Sequence, residues 1–478
     1  MEISKYQELC KIFDQVLKNS ASTPQIIANN YLHILNASPE FLKRFDLSKI
    51  GKIQALIRFK LISIVRVLQS IFDGAHYYTR QEEAESEVLF VSHLTNRRQI
   101  LENNDAYFGD LPNQLLQNGI SNSIVLINHA KVSKKQVLEG WGDSKIQRFI
   151  LSSSLDFISE VSAYFSQLKS KRQLKSILKG IQIDEVLAQD ILHNQLSSNT
   201  FNALRVARQV TDIARKTNAK FIVTTYEGHA WERLVFYYAR EFNPNIKCLS
   251  YQHAAIFKHQ HAIKRSLAKE YNPDVILTSG LVTKEIFEKS QMKECKILCI
   301  GSPKHLRLNM TMGKKQSCLV VPEGFVSECL ILFNISLEYA KQHRSQRFIW
   351  RLHPLLSFKK LKKQSSIFKN LPDNITLSEA NLEDDINQCD SVLYRGSTAV
   401  VNAINVGLKP IYYRKSADEL SIDPIYTHKK GKSIVHNQEE LGLALDRDID
   451  AKTMQSLQDF AQDFYTPLNV NIFLKALQ

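Results

Sequence analysis

Residues 221–233 read Phe-Ile-Val-Thr-Thr-Tyr-Glu-Gly-His-Ala-Trp-Glu-Arg, and this stretch decides the fold class. Its first five residues are apolar or β-branched, which is typical of a buried strand. The chain then turns through Gly228, and from Ala230 onward the pattern is helical. A strand that leads through a short turn into a helix indicates an α/β fold with a parallel sheet.

The same alternation of strand and helix extends in both directions from this stretch. Further strands are predicted at 88–92, 123–127, 247–251, 275–278, 297–300, 318–321, 347–351, 374–377, 391–394 and 410–413. Because ligands of parallel sheets bind beyond the carboxyl ends of the strands, two such domains facing each other predict a deep cleft with a site inside it.

The pattern also predicts how the chain is divided. We expect a helical region at 1–85, a first Rossmann-like domain at 86–310 with a helical insertion at about 130–220, a second Rossmann-like domain at 311–440, and C-terminal helices at 441–478 that pack back toward the first domain. The polar stretch 301–316, which contains glycine and proline, is the predicted linker.

Composition narrows the class of protein. The 478 residues carry 62 Lys+Arg against 48 Asp+Glu, a formal charge of +14, and 44% of them are apolar, which excludes a disordered chain. Seven cysteines without a CxxC pair encode neither a disulfide framework nor a zinc site, and no signal peptide is apparent, so we expect a cytoplasmic protein. The basic residues are dispersed and form no nucleic-acid-binding motif, which favours anionic lipid or phosphorylated substrates over nucleic acid.

Residues 51–72 form the most lipid-like stretch of the chain. Four basic residues interrupt it, which argues against a membrane span, but its apolar residues follow helical spacing. Helical apolar stripes usually pack on the protein's own core, so we expect this helix to dock there. The alternative is peripheral contact with the inner face of the plasma membrane, because a basic amphipathic helix of this kind is attracted to anionic lipid.

Chemically capable side chains follow two strands of the first predicted domain. Glu227 comes directly after strand 221–225, where a carboxylate can act as a general base, with Gly228 and His229 beside it; alternatively Glu227 is a helix-start acid. Gln252 and His253 end the next strand and are candidate substrate-binding residues, or else a satisfied core amide and imidazole. No metal-ligand spacing accompanies them, so we expect no metal.

The second predicted domain offers donors for an anion. Arg351 and His353 share one face of a strand that Pro354 ends, which suits a phosphate, although Arg351 could instead form an internal salt bridge. After strand 391–394 come Arg395, Gly396, Ser397 and Thr398, where a glycine and two hydroxyls open a helix. A similar opening, Pro322-Glu323-Gly324, predicts that Gly324 lines the cleft as well.

These motifs together resemble a known group of enzymes. Glu227-Gly228, His353-Pro354 and Ser397-Thr398, in this order, look like the GT-B bacterial sialyltransferases and the related Kdo and capsule-polysaccharide transferases. The Gln252-His253 element and the run 394–397 are also similar to surface-carbohydrate proteins that include teichoic-acid glycerophosphotransferases.

The resemblance implies a GT-B fold and a metal-independent enzyme without a cofactor. The implied reaction transfers a 2-keto sugar acid, such as sialic acid, another nonulosonate or Kdo, from a CMP-activated donor to a glycan or glycolipid acceptor of the bacterial surface. Glu227 would then be the base, and His353 with Ser397 and Thr398 would hold the donor phosphate. The sialyltransferases have two carboxylates before the glycine, whereas Tyr226 takes the first position in this chain, so inversion and retention both stay open.

Other functions fit the same residues. A CDP-glycerol-type polyol-phosphate transferase would use the same fold, and a non-catalytic carbohydrate-assembly protein would keep the fold without needing Glu227. An epimerase or hydrolase acting on a nucleotide sugar is a further alternative.

Overall fold

The computed structural model describes residues 1–45, 57, 61–62, 64–71, 75–80, 82, 84–140, 145–304, 316–354 and 356–478. Its strands are β1 Tyr77–Tyr78, β2 Val88–Leu94, β3 Asn122–Asn128, β4 Gln147–Leu151, β5 Phe221–Thr225, β6 Lys247–Gln252, β7 Val275–Thr278, β8 Lys296–Cys299, β9 Ser317–Val321, β10 Arg347–Arg351, β11 Ile375–Ser378, β12 Ser391–Tyr394, β13 Lys409–Tyr413 and β14 Ser433–Val435. Most of the predicted linker, 305–315, lies outside the described residues.

The helices alternate with these strands. They are α1 Ile3–Lys18, α2 Pro24–Ile27, α3 Pro39–Leu42, α4 Leu111–Gln117, α5 Lys134–Gly140, α6 Phe157–Lys179, α7 Glu185–Asn194, α8 Ser198–Lys216, α9 Ala230–Phe242, α10 His261–Lys264, α11 Leu281–Glu288, α12 Val326–Gln342, α13 Phe358–Gln364, α14 Leu382–Ile386, α15 Ala399–Asn405, α16 Gln438–Asp446, α17 Ala451–Phe464 and α18 Val470–Ala476.

The first sheet has the order β1-β4-β3-β2-β5-β6-β7-β8. Its strands are parallel except for β1, which pairs antiparallel with β4. All five residues of β5 are buried, as expected for a central strand covered by helices on both faces. Chain order reverses between β2 and β5, so the crevice beyond the carboxyl ends of these two strands is where a ligand is expected.

The second sheet has the order β11-β10-β9-β12-β13-β14, and every pair in it is parallel. Its chain order reverses between β9 and β12, which places a second crevice beyond Val321 and Tyr394. The prediction of two Rossmann-like sheets is therefore confirmed.

The sequence interpretation is wrong in one part of the first sheet. Strand β4, at 147–151, lies inside the stretch predicted to be a helical insertion, and it pairs with β3. The short strand begins with the polar pair Gln147-Arg148, which hid it in the sequence. In the folded chain both side chains are buried, because Gln147 donates to the Glu82 carbonyl and Arg148 donates to the Glu102 and Asn103 carbonyls.

The C-terminal helices contact both sheets. Helix α17 packs on α15 of the second domain and on α11 of the first. Helix α18 packs on α4 and β8 of the first domain, where the Phe473 ring stacks on Phe90 with centroids 5.9 Å apart. The end of the chain therefore ties the two domains together.

Part of the amphipathic stretch 51–72 lies outside the described residues. Residues 61–62 and 64–71 are helical, and their apolar side chains Leu61, Ile64, Val65, Leu68 and Ile71 are between 50% and 59% exposed. The opposite side of this segment carries the buried Ser70, and the neighbouring Gln69 accepts from the Ser153 hydroxyl at 3.4 Å. Docking on the protein's own core is therefore wrong for these residues, and no helix among the described residues is long and apolar enough to cross a bilayer.

Candidate functional site

The loop between β5 and α9 presents Glu227 at the carboxyl edge of the first sheet. The buried carboxylate of Glu232 holds this loop, because it accepts hydrogen bonds from the backbone N–H groups of Glu227, Gly228 and His229 at 2.8–2.9 Å. Burial raises the pKa of Glu232 to about 7. Glu232 and the neighbouring Arg233 are both fully buried.

Gly228 makes the sharp turn of this loop possible. Its φ of +89° is a conformation that residues with a side chain rarely adopt. A Cβ atom at this position would also lie 2.4 Å from the Ile263 backbone nitrogen. The glycine thus sets the direction in which Glu227 leaves the sheet.

The Glu227 carboxylate bridges two imidazoles. Its Oε2 lies 3.2 Å from Nε2 of His229, and its Oε1 lies 3.2 Å from Nε2 of His253. Burial raises the pKa of Glu227, but the hydrogen bonds and charges of the two histidines outweigh this and hold the pKa well below its usual value. Burial lowers the pKa of His229, but Glu227 and Glu232 outweigh this effect and raise the pKa of this imidazole above its usual value. Glu227 is therefore ionised and held in place, with 38% of its side chain exposed.

Further aromatic and imidazole groups surround this carboxylate. His93 lies at the end of β2; its Nδ1 is 3.0 Å from Nε2 of His129, and its Nε2 is 2.9 Å from Oγ1 of Thr225. Burial lowers the pKa of His93 to about 3. The Tyr107 ring packs edge-on against both His93 and His253. Sequence reasoning missed His93 and His129, although each stands at the end of a predicted strand, which was the signal available.

His253 and Gln252, the two candidate substrate-binding residues at the end of β6, have different surroundings. His253 is 8% exposed and faces Glu227, and its Nδ1 atom is buried without a hydrogen-bond partner. Gln252 is fully buried; its amide donates to the Ala254 carbonyl and accepts from Ser279. These contacts favour the core-amide alternative for Gln252 over the predicted substrate-binding role.

The second crevice lies between the loops that follow β9, β10 and β12. Gly324 faces the His353 ring, which would lie 3.3 Å from a Cβ atom at position 324. Gly396 lies against the carboxyl group of Glu323, so there is no room for a side chain at position 396. Ser397 and Thr398 are half-buried at the same edge. Burial lowers the pKa of His353, which keeps its imidazole neutral near pH 7.

The two arginines predicted to bind phosphate are engaged by carboxylates. The fully buried guanidinium of Arg395 donates to Glu328 at 2.5 Å and to Glu419 at 2.7 Å. Arg351 donates to the buried Asp385 at 2.7 Å. These pairs argue against a direct phosphate contact by Arg395 and favour the internal salt-bridge alternative for Arg351.

Among the residues that the structure describes, no three or more His, Cys, Asp or Glu side chains are arranged to hold a metal ion. The chemistry available at the first crevice is thus that of a carboxylate with imidazole partners, and at the second crevice that of hydroxyl and imidazole donors.

The two parallel sheets, each with its crevice at a reversal of chain order, define a two-domain α/β protein of the GT-B kind. No family model matches the sequence, and no curated protein matches it. Among solved structures, the calicheamicin glycosyltransferase CalG4 is similar at 11% identity over 82% of this chain and 98% of its own, with a TM-score of 0.47.

Two further solved structures are similar at the same level. The glycotransferase of kitacinnamycin has 9% identity over 82% of this chain and 100% of its own, with a TM-score of 0.48. The UDP-GlcNAc 2-epimerase from Neisseria meningitidis bound to UDP-GlcNAc has 11% identity over 82% of this chain and 99% of its own, with a TM-score of 0.45. No role for a residue follows from likenesses this distant.

Proposed function

We propose that the chain is a metal-independent GT-B glycosyltransferase that moves a 2-keto sugar acid from a CMP-activated donor to a glycan or glycolipid acceptor of the bacterial surface. The observation that carries this proposal is the Glu227 carboxylate, ionised between His229 and His253 at the mouth of the first sheet. An ionised carboxylate held in a fixed orientation suits proton removal from an acceptor hydroxyl.

The reaction requires one bond to form and one to break. The acceptor oxygen attacks the anomeric carbon of the sugar acid, its proton passes to Glu227, and the bond from the anomeric carbon to the CMP phosphate breaks. His229 and His253 hold the two carboxylate oxygens in place. Because they lower the pKa of Glu227, they favour its ionised form and make it a weaker base than a free carboxylate.

The second domain would stabilise the departing phosphate. Negative charge grows on CMP as it leaves, and donors placed at that position lower the barrier. The neutral His353 imidazole has one N–H to donate, and the Ser397 hydroxyl has another proton. Thr398 has a competing partner, since its hydroxyl interacts with the Tyr465 hydroxyl.

Release of nucleotide from a panel of donors tests this proposal. The purified protein is incubated with CMP-Kdo, CMP-nonulosonates, CDP-glycerol and UDP-GlcNAc, and nucleotide release is measured with and without acceptor glycan. Acceptor-dependent CMP release from a CMP-sugar is the expected result. Release from CDP-glycerol alone supports the polyol-phosphate transferase, release from UDP-GlcNAc alone contradicts the CMP donor, and no release from any donor supports the non-catalytic protein.

We also propose that the protein acts at the inner face of the membrane. The exposed apolar residues of 61–71 lie beside the start of α6, where Phe157, Ile158 and Phe165 are between 47% and 77% exposed. Helix α6 continues with five basic residues and no acidic residue after Glu160: Lys169, Lys171, Arg172, Lys175 and Lys179. An apolar patch next to a basic one matches an anionic lipid surface.

Vesicle flotation tests this placement. We expect the protein to float with vesicles that contain anionic lipid and to remain unbound with neutral ones. Leu61→Asp with Leu68→Asp should abolish flotation, whereas Leu443→Asp, a change at a 70% exposed leucine on α16, should leave it unaffected. Equal flotation of both variants would contradict the proposed surface.

A further inference from the structure

Glu323 is a buried acidic side chain at the centre of the second crevice. It follows β9 by two residues, and its carboxyl group lies against Gly396, which follows β12 by two residues. Chain order reverses between these two strands, so Glu323 stands where a doubly wound sheet binds its ligand. Neither the sequence motifs nor the proposed mechanism gives this residue a role.

The carboxyl group of Glu323 has no hydrogen-bond partner. The residue is 7% exposed, and both of its oxygens are buried and unpartnered. The cation whose charge acts on this carboxyl group, the guanidinium of Arg395, already donates to Glu328 and Glu419. A buried polar group without a partner is costly, and such groups in a crevice point to a ligand that completes them.

The surrounding charges favour the neutral form of this carboxyl group. Burial, together with the negative charge of Glu328, raises the pKa of Glu323 to about 8, and Arg395 opposes the shift only in part. Cys329, the other titratable group on α12 near Glu323, has a pKa raised to about 12 by burial, and burial lowers the pKa of His353 across the crevice. Near pH 7 Glu323 therefore carries a proton that it can donate.

We propose that Glu323 is a phosphate-binding residue that donates its carboxylic O–H to a phosphate oxygen of the donor nucleotide, beside His353 and Ser397. The identity of that phosphate rests on the proposed function. An ionised carboxylate would repel the phosphate, whereas a neutral acid acts as a donor. Recognition of ribose hydroxyls is the competing role, and it differs because a carboxylate accepts hydrogen bonds from hydroxyls in its ionised form.

Calorimetric titration of the whole chain with CMP, between pH 7 and pH 9, tests this assignment. CMP is fully ionised in this range, since the second pKa of a phosphate monoester is about 6. The form of Glu323 that binds is lost as the pH rises through about 8, so we expect CMP to bind about tenfold more weakly at pH 9 than at pH 7. Cytidine, which lacks the phosphate, should show no such loss.

The variant Glu323→Gln sharpens the test, because an amide donates a hydrogen bond without titrating. We expect it to bind CMP at pH 7 within about threefold of the unaltered protein and to lose the pH dependence. CMP affinity that is constant with pH in the unaltered protein, or a pH dependence that persists in Glu323→Gln, overturns the role of Glu323 alone. Absence of CMP binding at every pH overturns the CMP donor of the proposed function together with this role.

Discussion

The carboxyl edges of the two sheets each carry a glutamate just beyond a central strand, and the two glutamates differ in protonation. Glu227 of the first domain has an imidazole at each oxygen, and its pKa lies well below the usual value. Glu323 of the second domain has no partner, and burial raises its pKa to about 8. The strands decide where each carboxyl group lies, while its neighbours decide whether it is charged.

This difference in protonation suits Glu227 to act as a base and Glu323 to act as a hydrogen-bond donor. A carboxylate that is ionised at neutral pH accepts a proton, and a carboxyl group that is neutral at the same pH gives one or donates a hydrogen bond. The two domains therefore present complementary chemistry to a substrate with a nucleophilic hydroxyl at one end and a departing phosphate at the other.

The largest effect is expected from the first domain. Glu227→Gln keeps the size of the side chain but removes the base, so turnover should fall by about 10²–10⁴-fold while CMP affinity stays unchanged. Glu285→Gln, at an exposed glutamate paired with Lys289, is the matched control and should leave turnover as it is. Full turnover in Glu227→Gln would remove the base from the account.

A large effect on stability is expected from the second domain. Arg395→Met leaves Glu328 buried without its cation, and breaking a buried pair in this way lowers the free energy of unfolding by about 3–5 kcal/mol. Denaturant unfolding measures this change. If the variant unfolds normally but loses CMP affinity instead, then Arg395 binds phosphate directly, and the contrast between the two domains is weaker than the structure indicates.

Glu323 should also make stability depend on pH. Its carboxyl group keeps a proton in the folded protein that the unfolded chain releases near pH 4.5, so stability falls as the pH rises from about 4.5 through about 8. Glu323→Gln should remove about 2–4 kcal/mol of this loss, measured by unfolding at pH 5 and pH 9. Identical pH profiles for both proteins would show that Glu323 is ionised throughout.

The smallest effect concerns the partners of Glu227. His253→Asn removes one of the two imidazoles that lower the pKa of Glu227, so the acid limb of the rate profile should move to higher pH by about one unit. The dependence of kcat/KM on pH measures this shift. An unmoved limb would mean that another group controls it.

Much of this arrangement could be predicted from the sequence. The run at 221–225 and the strands on either side are short, apolar and bounded by turns, so the two parallel sheets and the position of Glu227 followed from local pattern. Strand β4 could not be predicted in this way, because its polar residues Gln147 and Arg148 find their hydrogen-bond partners only in the folded chain.

The protonation states of the glutamates and the ion pairs of the arginines could not be predicted from the sequence. The local pattern does not show that Glu232 folds back and accepts hydrogen bonds from three backbone N–H groups of the 227–229 loop. Arg395 was predicted to bind phosphate, but its guanidinium donates to Glu328 and Glu419 in the folded chain. These two residues are 67 and 24 positions away in the sequence, so local pattern could not reveal the pairing. Glu323 follows a predicted strand, but only its lack of a hydrogen-bond partner in the folded crevice indicates a role for it.

A crystal structure of the protein with bound CMP would show whether the two glutamates face the same nucleotide. We expect the phosphate to lie between His353 and Ser397, in contact with Glu323, and Glu227 to face it across the cleft. Nucleotide bound at another place, or a closed protein in which Glu227 cannot face the phosphate, would contradict this expectation.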